Sequence, residues 1–239
     1  MKKVMTYETL RRFAYSNDHL IEGEIRGIIV EFYGLGNGNM QNSDSGEALE
    51  YAAQNLLYVV PYNNPWCWMN DQAVHYTDEI LDVLREHYGL SDQIGVVSTG
   101  GSMGGLSALV YTANSRTTPI ACVANCPVCD LPYHFTERED LPRTLYSAYG
   151  NEEGESLEDV LRLHSPVHMV DRMPRIPYTV LHCEKDTRVN LERHSELFVK
   201  LMEEAKQDIT FIRVPLRPHC RLAPTAQLQY QQAILKAFD

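Results

Sequence analysis

Residues 94–110 read IGVVSTGGSMGGLSALV, and this stretch decides the fold. The apolar segment Ile94–Ser98 is typical of a buried strand, and the run that begins near Met103 is typical of a helix. The pattern G-x-S-x-G lies between them and holds a serine on a sharp strand-to-helix turn with its hydroxyl exposed. Glycine is needed on both sides because a Cβ there would contact the neighbouring strand and helix. Ser102 is therefore the candidate nucleophile.

A serine hydroxyl attacks only when a base removes its proton, and the base needs a carboxylate that fixes its tautomer. His219 is the preferred base, because it follows the predicted strand Ile209–Val214 through an irregular, proline-containing segment. Asp186 is the preferred carboxylate, because it lies three residues beyond the predicted strand Tyr178–Cys183. The chain order serine, aspartate, histidine is the order of an α/β-hydrolase arrangement.

Three other residues compete for these two roles. Glu184 is the alternative carboxylate, although its side chain would emerge nearer the end of the strand. His194 lies on the apolar stripe of a predicted helix, where a histidine satisfied inside the core is the usual finding. His182 precedes the candidate aspartate in the chain, so it is the weaker base.

A tetrahedral intermediate of acyl transfer carries negative charge that two aimed N–H donors stabilise. The backbone amide of Met103 is one candidate donor, because it begins a helix whose dipole favours an anion. The other is expected from the loop Gly34-Leu35-Gly36, in which Leu35 is preferred over Gly34. A simple tight turn is the alternative interpretation of this loop.

Apolar strands alternate with amphipathic helices, which predicts a mainly parallel central sheet with helices on both faces. The predicted strands are Leu10–Ser16, Gly27–Tyr33, Leu56–Pro61, Ile94–Ser98, Pro119–Ala124, Tyr178–Cys183 and Ile209–Val214. The predicted helices are Ala48–Ala53, Asp71–His87, a run from Met103, Leu191–Ala205 and Thr225–Phe238. The first two strands are expected to be joined through turns at 17–18 and 22–24. Residues 131–163 are predicted to form a small helical cap over a cleft, with an ordinary helical connection as the alternative.

The chain has 239 residues, of which 44% are hydrophobic and 22% charged, and this fits a single domain over residues 1–239. Its net charge of -11 argues against nucleic acid or an anionic membrane as partner, since both attract basic surfaces. No apolar run approaches the ~20 residues that span a bilayer, and the basic N-terminus lacks the apolar stretch of a secretory signal. A cytoplasmic location is therefore expected.

No metal or cofactor is expected, because the reaction needs only water, an acyl donor and side chains. Cys122, Cys126 and Cys129 lack the spacing of paired C-x-x-C metal ligands and are interpreted as core thiols. His164 and His168 have helical spacing, but a proline between them argues against one helix that presents both to a metal.

From Ser165 to His219 the sequence resembles the prolyl-oligopeptidase-like branch of the α/β-hydrolase superfamily. The resemblance is carried by Ser165–Asp171 (SPVHMVD), Pro177–His182, Glu184–Val189 (EKDTRV), Pro218-His219 and the elbow Gly100–Gly105. It implies an α/β-hydrolase fold in which Ser102 is the nucleophile, Asp186 orients the histidine and His219 is the base.

The sequence departs from this family at several points. Family members commonly have glycine where Cys183 and Cys220 follow the two histidines. Some family peptidases add a tyrosine hydroxyl to the oxyanion hole, but aligning the loop glycines puts Leu35 in that place, so a backbone N–H must serve. The N-terminal domain of the family's oligopeptidases and the outermost strands of the usual sheet are not expected here. An uncovered sheet edge has unpaired backbone groups, so a homodimer is expected.

These features predict a carboxylesterase or deacylase that hydrolyses small to medium esters through an acyl-enzyme. Five aromatic residues are expected to line a pocket for an apolar or sugar-ring substrate, namely Tyr33, Trp66, Trp68, Tyr133 and Phe135. One alternative is a small peptidase or acyl-aminoacid hydrolase that uses the same residues on an amide. The other is a binding protein that keeps the fold without the reaction.

Overall fold

The computed structural model describes residues 4–38, 40–150 and 156–239. Within these ranges one sheet contains seven strands: β1 (Ala14–Ser16), β2 (Gly27–Phe32), β3 (Leu56–Pro61), β4 (Val96–Gly101), β5 (Ala121–Asn125), β6 (Tyr178–Cys183) and β7 (Ile209–Val214). Their order is β1-β3-β2-β4-β5-β6-β7, and β1 is antiparallel to β3 while the other pairs are parallel. The mainly parallel α/β fold predicted from the sequence is confirmed.

Helices connect the strands across both faces of the sheet. They are α1 (Gly46–Ala52), α2 (Asp71–Tyr88), α3 (Met103–Asn114), α4 (Leu131–Glu137), α5 (Leu141–Tyr149), α6 (Leu157–Leu163), α7 (Pro166–Met169), α8 (Leu197–Glu204) and α9 (Pro224–Leu235). A π-helical turn over Glu192–Glu196 precedes α8 and forms the start of the predicted helix Leu191–Ala205. In the described ranges, no helix combines the length and the hydrophobicity that crossing a bilayer requires.

The predicted first strand, Leu10–Ser16, is wrong over most of its length. Tyr7–Arg12 forms a 3-10 helix instead, because the Thr9 side chain accepts the backbone N–H of Thr6 at 3.0 Å and fixes the first turn. The short remaining strand β1 pairs with β3 in the antiparallel direction. Asn17 supports this pairing, since its side-chain oxygen accepts a backbone N–H of β3 at 2.7 Å.

The sheet is buried on both faces, which explains why its strands have continuous apolar runs. Ile28 and Val30 of β2 belong to one buried cluster, and Ile29 between them belongs to the cluster on the opposite face. The carboxyl ends of the parallel strands meet at one edge of the sheet, where ligands bind in folds of this kind. Ser102, Asp186 and His219 follow the carboxyl ends of β4, β6 and β7.

Residues 131–163 form α4, α5 and α6 where they are described, and residues 151–155 lie outside the described ranges. Leu131, Leu141 and Leu145 are fully buried in the same cluster as one face of the sheet. From this segment, Arg138 reaches the cleft that contains Ser102. These contacts fit a cap or a helical connection equally well, so both stay predictions.

Candidate active site

Ser102 lies between β4 and α3 with φ of 61° and ψ of −123°. Positive φ is unusual for a residue with a side chain, and this combination is one that glycine normally occupies. The backbone is held there by hydrogen bonds on both sides: its N–H donates to the Asn125 carbonyl at 2.9 Å, and its carbonyl accepts from Leu106 at 3.1 Å. The elbow therefore stores backbone strain at the candidate nucleophile.

The glycines beside Ser102 are required by close backbone contacts. A Cβ on Gly100 would lie 2.5 Å from the carbonyl oxygen of Gly104, and a Cβ on Gly104 would lie 2.0 Å from that of Phe32. Both obstacles are backbone atoms, which cannot rotate away as a side chain does. The expected need for glycine on both sides of the serine is confirmed.

Ser102, His219 and Asp186 are brought together although they are far apart in the chain. The Oγ of Ser102 is 2.9 Å from the Nε2 of His219. The Nδ1 of the same ring is 2.5 Å from the Oδ2 of Asp186. Because a carboxylate can only accept, Nδ1 carries a proton, and in the neutral ring Nε2 is free to accept from the serine hydroxyl. This is the geometry of a serine, its base and an orienting carboxylate.

Hydrogen bonds of Arg217 stabilise the loop that carries His219. The Arg217 guanidinium donates to the carbonyls of Arg221 at 2.8 Å and Leu222 at 3.3 Å, on the far side of the histidine. The carbonyl of Arg217 also accepts the N–H of Lys185, at 2.9 Å, from the loop that carries Asp186. The two loops are thus joined, and the position of the imidazole does not depend on the carboxylate alone.

The Asp186 carboxylate is fully buried and surrounded by donors. Its Oδ1 accepts the backbone N–H groups of Arg188 at 2.8 Å and Val189 at 3.0 Å. His182 lies behind it, with Nε2 3.4 Å from Oδ2 and with Nδ1 2.7 Å from the Ser195 hydroxyl. His182 is therefore a buried neighbour of Asp186. The sequence indicated it only as a weaker alternative to His219 as the base.

The pKa values of the pair are shifted in opposite directions. Burial raises the pKa of Asp186, but hydrogen bonds from His182, His219 and the Arg188 backbone hold it well below its usual range. Burial lowers the pKa of His219, but the Asp186 carboxylate and then the Cys126 side chain raise it, and the result is about 9. The protonated form of the His219 ring is thereby stabilised.

Glu184, the alternative carboxylate, points away from the histidine. Its Oε1 accepts from the Arg213 guanidinium at 3.1 Å on the exposed side of the strand. Asp186, three residues beyond β6, is the carboxylate that reaches the ring.

His194, the other alternative base, is fully buried and its ring is fully occupied. Nδ1 accepts the backbone N–H groups of Cys129 at 3.0 Å and Asp130 at 3.1 Å, so the proton must be on Nε2, which donates to Glu137 at 2.8 Å. The expectation of a satisfied core histidine is confirmed. His134, Glu137 and His194 lie close enough together to hold a metal. This tautomer argues against one, because the ligand nitrogen would have to lose its only proton.

Two backbone N–H groups are positioned as candidate oxyanion donors. Met103 is the first residue of α3, so its N–H has no acceptor within the helix. Gly34 and Leu35 line the same cleft as Ser102, and a Cβ on Gly34 would be 3.8 Å from the serine Cβ. Within the described residues, no backbone carbonyl accepts from Leu35 or Met103, whereas the N–H of Gly36 donates to another loop.

The cleft at Ser102 has a volume of about 410 Å³. Tyr33 lines it, as expected, but the other four predicted aromatic residues do not. Trp68 is 1% exposed and donates from its indole nitrogen to Thr144 at 3.1 Å, because positive φ at this residue and the next turns it into the core. Trp66 lies beside a different cavity, under the guanidinium of Arg143.

Tyr133 and Phe135 belong to α4 and face away from Ser102. Tyr133 lines a third cavity, where the Arg193 guanidinium lies 4.6 Å from its ring centre. Phe135 packs against the core. The alternation of aromatic and charged residues in this segment thus reflects a helix with a buried side, which explains why the pattern did not find the cleft.

Charged residues line the cleft in place of the expected aromatic ones. Arg188 is exposed there, and no carboxylate of the described residues forms an ion pair with it. Arg138 is paired with Asp140, at 2.9 and 2.5 Å. Glu31 accepts from the Tyr58 hydroxyl, and burial raises the pKa of this carboxyl. Arg188 was within reach of sequence reasoning, since it is two residues beyond Asp186.

The prolyl oligopeptidase family model matches residues 69–238, which is more than two thirds of the chain. The chain belongs to the prolyl oligopeptidase family. The family match includes Ser102, Asp186 and His219, whereas the loop that contains Leu35 lies before it. A comparison with curated proteins found no match.

Solved structures of peptidases and an esterase have the same fold as this family member. A puromycin-hydrolyzing peptidase of Mycobacterium tuberculosis is similar with a TM-score of 0.75 and 19% identity over 90% of this chain and 34% of that one. The acylaminoacyl peptidase of Pyrococcus horikoshii gives 0.68 and 12% over 90% and 36%. Esterase B of Lactobacillus rhamnosis gives 0.68 and 14% over 92% and 78%. The chain thus spans about a third of the length of the two peptidases.

Proposed function

We propose that this protein is a serine hydrolase that cleaves small to medium carboxylic esters through an acyl-enzyme on Ser102. The observation that carries the proposal is the continuous hydrogen-bonded path from the Ser102 hydroxyl through both ring nitrogens of His219 to Asp186, at 2.9 and 2.5 Å. Membership of the prolyl oligopeptidase family supports it, because the three residues lie inside the family match.

In the first half of the proposed reaction, Ser102 Oγ attacks the ester carbonyl carbon while its proton moves to Nε2 of His219. Asp186 stabilises the resulting imidazolium through Nδ1–H without taking the proton. The backbone N–H groups of Leu35 and Met103 stabilise the negative oxygen, and each such donor lowers the barrier by about 3–4 kcal/mol. The intermediate collapses when Nε2–H protonates the leaving alkoxide.

In the second half, water replaces the alcohol and His219 acts again. Nε2 takes a proton from the water as its oxygen attacks the acyl carbon, and then returns a proton to Ser102 Oγ as the acid departs. Ser102, His219 and Leu35 line the same cleft, and the buried Asp186 carboxylate supports the histidine from behind.

The cleft supports a polar substrate better than the apolar or sugar-ring substrate expected from the sequence. Arg188, without an ion pair among the described residues, offers hydrogen bonds to a carbonyl or carboxylate oxygen of the bound substrate. Of the five aromatic residues predicted to line the pocket, Tyr33 remains as a wall of the cleft. Esters with a polar or acidic acyl part are therefore the first substrates to test.

Amide hydrolysis, by a small peptidase or acyl-aminoacid hydrolase, is the second candidate. The similarity to the puromycin-hydrolyzing and acylaminoacyl peptidases favours it, because those structures share the fold over 90% of this chain. A panel of acyl nitrophenyl esters and aminoacyl nitroanilides separates the two candidates. Higher kcat/KM on the anilides would replace esters by amides as the proposed substrates.

Covalent labelling tests whether there is a reactive serine at all. A fluorophosphonate is expected to add one phosphonyl group per chain, and peptide mass spectrometry is expected to find it on Ser102. The Ser102→Ala variant is the control and should stay unlabelled. If the wild-type protein stays unlabelled while a known serine hydrolase in the same tube reacts, the protein is a binding protein with this fold.

A further inference from the structure

Two cysteine thiols lie beside the ring nitrogen of His219 that faces Ser102. The Sγ atoms of Cys126 and Cys220 and one ligand atom of His219 lie within 4.8 Å of one another. The Cys220 sulfur is 3.6 Å from Nε2. The mechanism proposed above uses neither sulfur. Members of the resembled family commonly have glycine where this chain has Cys220.

The separation of sulfur and nitrogen suits a tetrahedral metal ion. Zinc bonds of about 2.3 Å to sulfur and about 2.0–2.1 Å to nitrogen, at a tetrahedral angle, place the two ligand atoms about 3.6 Å apart. The observed distance from Cys220 Sγ to His219 Nε2 is 3.6 Å. The Cys126 sulfur, within 4.8 Å of the other two ligand atoms, is the third ligand, and Cys220 and His219 line the cleft.

The backbone around these residues fixes the thiols in place. Cys126 and Cys220 both have positive φ, 45° and 54°, which turns each out of the path of its strand or loop. The N–H of Cys126 donates to Leu181 of β6 at 2.7 Å, so its Cα is anchored to the sheet. The three ligand atoms already lie within 4.8 Å of one another.

Hydrogen bonds of the kind that orient the ligands of zinc sites are already present at His219 and Cys126. Asp186 accepts from Nδ1 of His219, and this orients Nε2 as a ligand in the way that carboxylates orient zinc-bound histidines. The backbone N–H of Cys183 donates to Cys126 Sγ at 3.3 Å, which stabilises a thiolate. Cys220 is half-buried and lines the cleft, so an ion has a path from solvent.

We propose that Cys126, Cys220 and Nε2 of His219 form a binding site for a thiophilic divalent cation such as Zn²⁺, and that the bound ion arrests hydrolysis. Binding releases the two thiol protons and, from the protonated ring, the Nε2 proton of His219 to solvent, and the two thiolates balance the charge of the ion. Nε2 then gives its lone pair to the metal and can no longer accept the proton of Ser102. The arrest rests on the proposed function, whereas the binding does not.

The test titrates the reduced, chelator-treated protein with Co²⁺ and then with Zn²⁺. Thiolate ligation of Co²⁺ is expected to give a sulfur-to-metal charge-transfer band in the near ultraviolet, which Zn²⁺ removes because it binds more tightly. Cys220→Ser and Cys126→Ser are each expected to raise the Kd at least about 10-fold, and Asp186→Asn about 10–100-fold. Cys67→Ser, which changes a buried thiol outside the site, is the matched control and should bind as the wild type does.

Folding and activity are measured separately. Because Cys126 is fully buried, its variant is checked by its melting temperature, while the half-buried Cys220 keeps the test valid if that variant unfolds. Zn²⁺ is expected to slow ester turnover and a chelator to restore it, with Cys220→Ser requiring at least about 10-fold more Zn²⁺.

Three results would contradict parts of the proposal. A missing Co²⁺ charge-transfer band, or a Kd that neither cysteine variant changes, overturns the site. Bound Zn²⁺ that leaves turnover unchanged overturns the arrest and keeps the site. A protein without turnover on any ester or amide contradicts the proposed function and with it the arrest, and the Co²⁺ band still decides whether the site exists.

Discussion

The hydroxyl of Ser102 and the Nε2 of His219 are 2.9 Å apart, although 117 positions separate the two residues in the chain. The serine stands at the end of β4 and the histidine on the loop after β7, at the same edge of the sheet. Two strands, β5 and β6, lie between them in the sheet order, so the contact depends on how far the histidine loop extends across that edge.

Replacing Ser102 with alanine should abolish ester hydrolysis and leave the fold intact. The loss in kcat is expected to be roughly 10⁴–10⁶-fold, as for other enzymes that lose a serine nucleophile. The melting temperature should change little, because the half-buried hydroxyl is bonded to His219 and not to the core. Turnover that survives in the purified variant, after contaminating esterases are excluded by an inhibitor control, would remove Ser102 from the role.

Asp186→Asn and Glu184→Gln form a matched pair that tests which carboxylate orients the base. The first change should lower kcat about 10⁴-fold, because an amide favours the wrong tautomer of His219. The second should have an effect within about threefold, because Glu184 is bonded to Arg213 on the exposed side. Steady-state kinetics on one nitrophenyl ester suffices. The opposite ranking would assign the role to Glu184.

Activity should increase toward alkaline pH. The raised pKa of His219, about 9, means that the ring is largely protonated at neutral pH, and only the neutral ring accepts the serine proton. The value of kcat/KM should therefore rise tenfold per pH unit below this value and level off above it. An unperturbed histidine would give a midpoint near ~6.5. A midpoint there would mean that burial of the ring offsets the effect of Asp186.

Glu137→Gln should make the protein less stable and its stability less dependent on acid. Burial raises the pKa of Glu137, but hydrogen bonds from His134 and His194 lower it to about 2 in the folded state. A carboxylate with a lowered pKa stabilises the fold above its unfolded value of about 4.3, and this contribution is lost as pH falls toward 2. The substitution should lower the free energy of unfolding at pH 7 by about 1–3 kcal/mol.

The control for this acid dependence is Glu139→Gln, at an exposed position in the same segment. Urea unfolding at several pH values between 3 and 7 should show a steep decline for the wild type and for the control, and a shallower one for Glu137→Gln. Parallel curves for all three proteins would show that the Glu137 carboxylate does not contribute to acid unfolding.

Two glycine substitutions test how tightly the elbow is packed. Gly104→Ala should destabilise the protein by several kcal/mol or prevent folding, because its Cβ would lie 2.0 Å from the Phe32 carbonyl oxygen. Gly46→Ala begins α1 with nothing within 4 Å of the new Cβ, so it should be neutral or stabilise the protein by up to about 1 kcal/mol. Thermal unfolding compares them. A stable Gly104→Ala protein would mean that β2 and α3 can separate at little cost.

The parts of the site that could be predicted are those where the local backbone allows only certain residue types. Glycines around Ser102 mark a place where no Cβ fits, and β3, β6 and β7 have the predicted bounds because each is a short apolar run between turn residues. Asp186 and His219, which the structure places beside Ser102, could be chosen as candidates because each stands on a loop just beyond such a run. Each of these features depends on a few neighbouring residues in the chain, so it can be recognised in the sequence.

The wall of the cleft could not be predicted in the same way. Whether Trp68 points into the core or into the cleft depends on positive φ at Trp68 and Met69. Neither residue is a glycine, so the sequence does not indicate this conformation. The first predicted strand failed for a related reason, since a threonine pair at its start favours a helical turn that apolar periodicity does not reveal. The charged lining at Arg188 and Glu31 depends on which strands are neighbours in the sheet.

The backbone conformation of Ser102 sets a limit on engineering this protein for heat resistance. At φ of 61° and ψ of −123° a glycine would be relaxed, whereas any side chain is strained by about 1–3 kcal/mol. Selection for a higher melting temperature alone is therefore expected to favour Ser102→Gly. Such variants would be more stable but would lack the candidate nucleophile. Screens for thermal stability in this fold should therefore measure turnover after heating, so that the strained serine is kept together with the proposed activity.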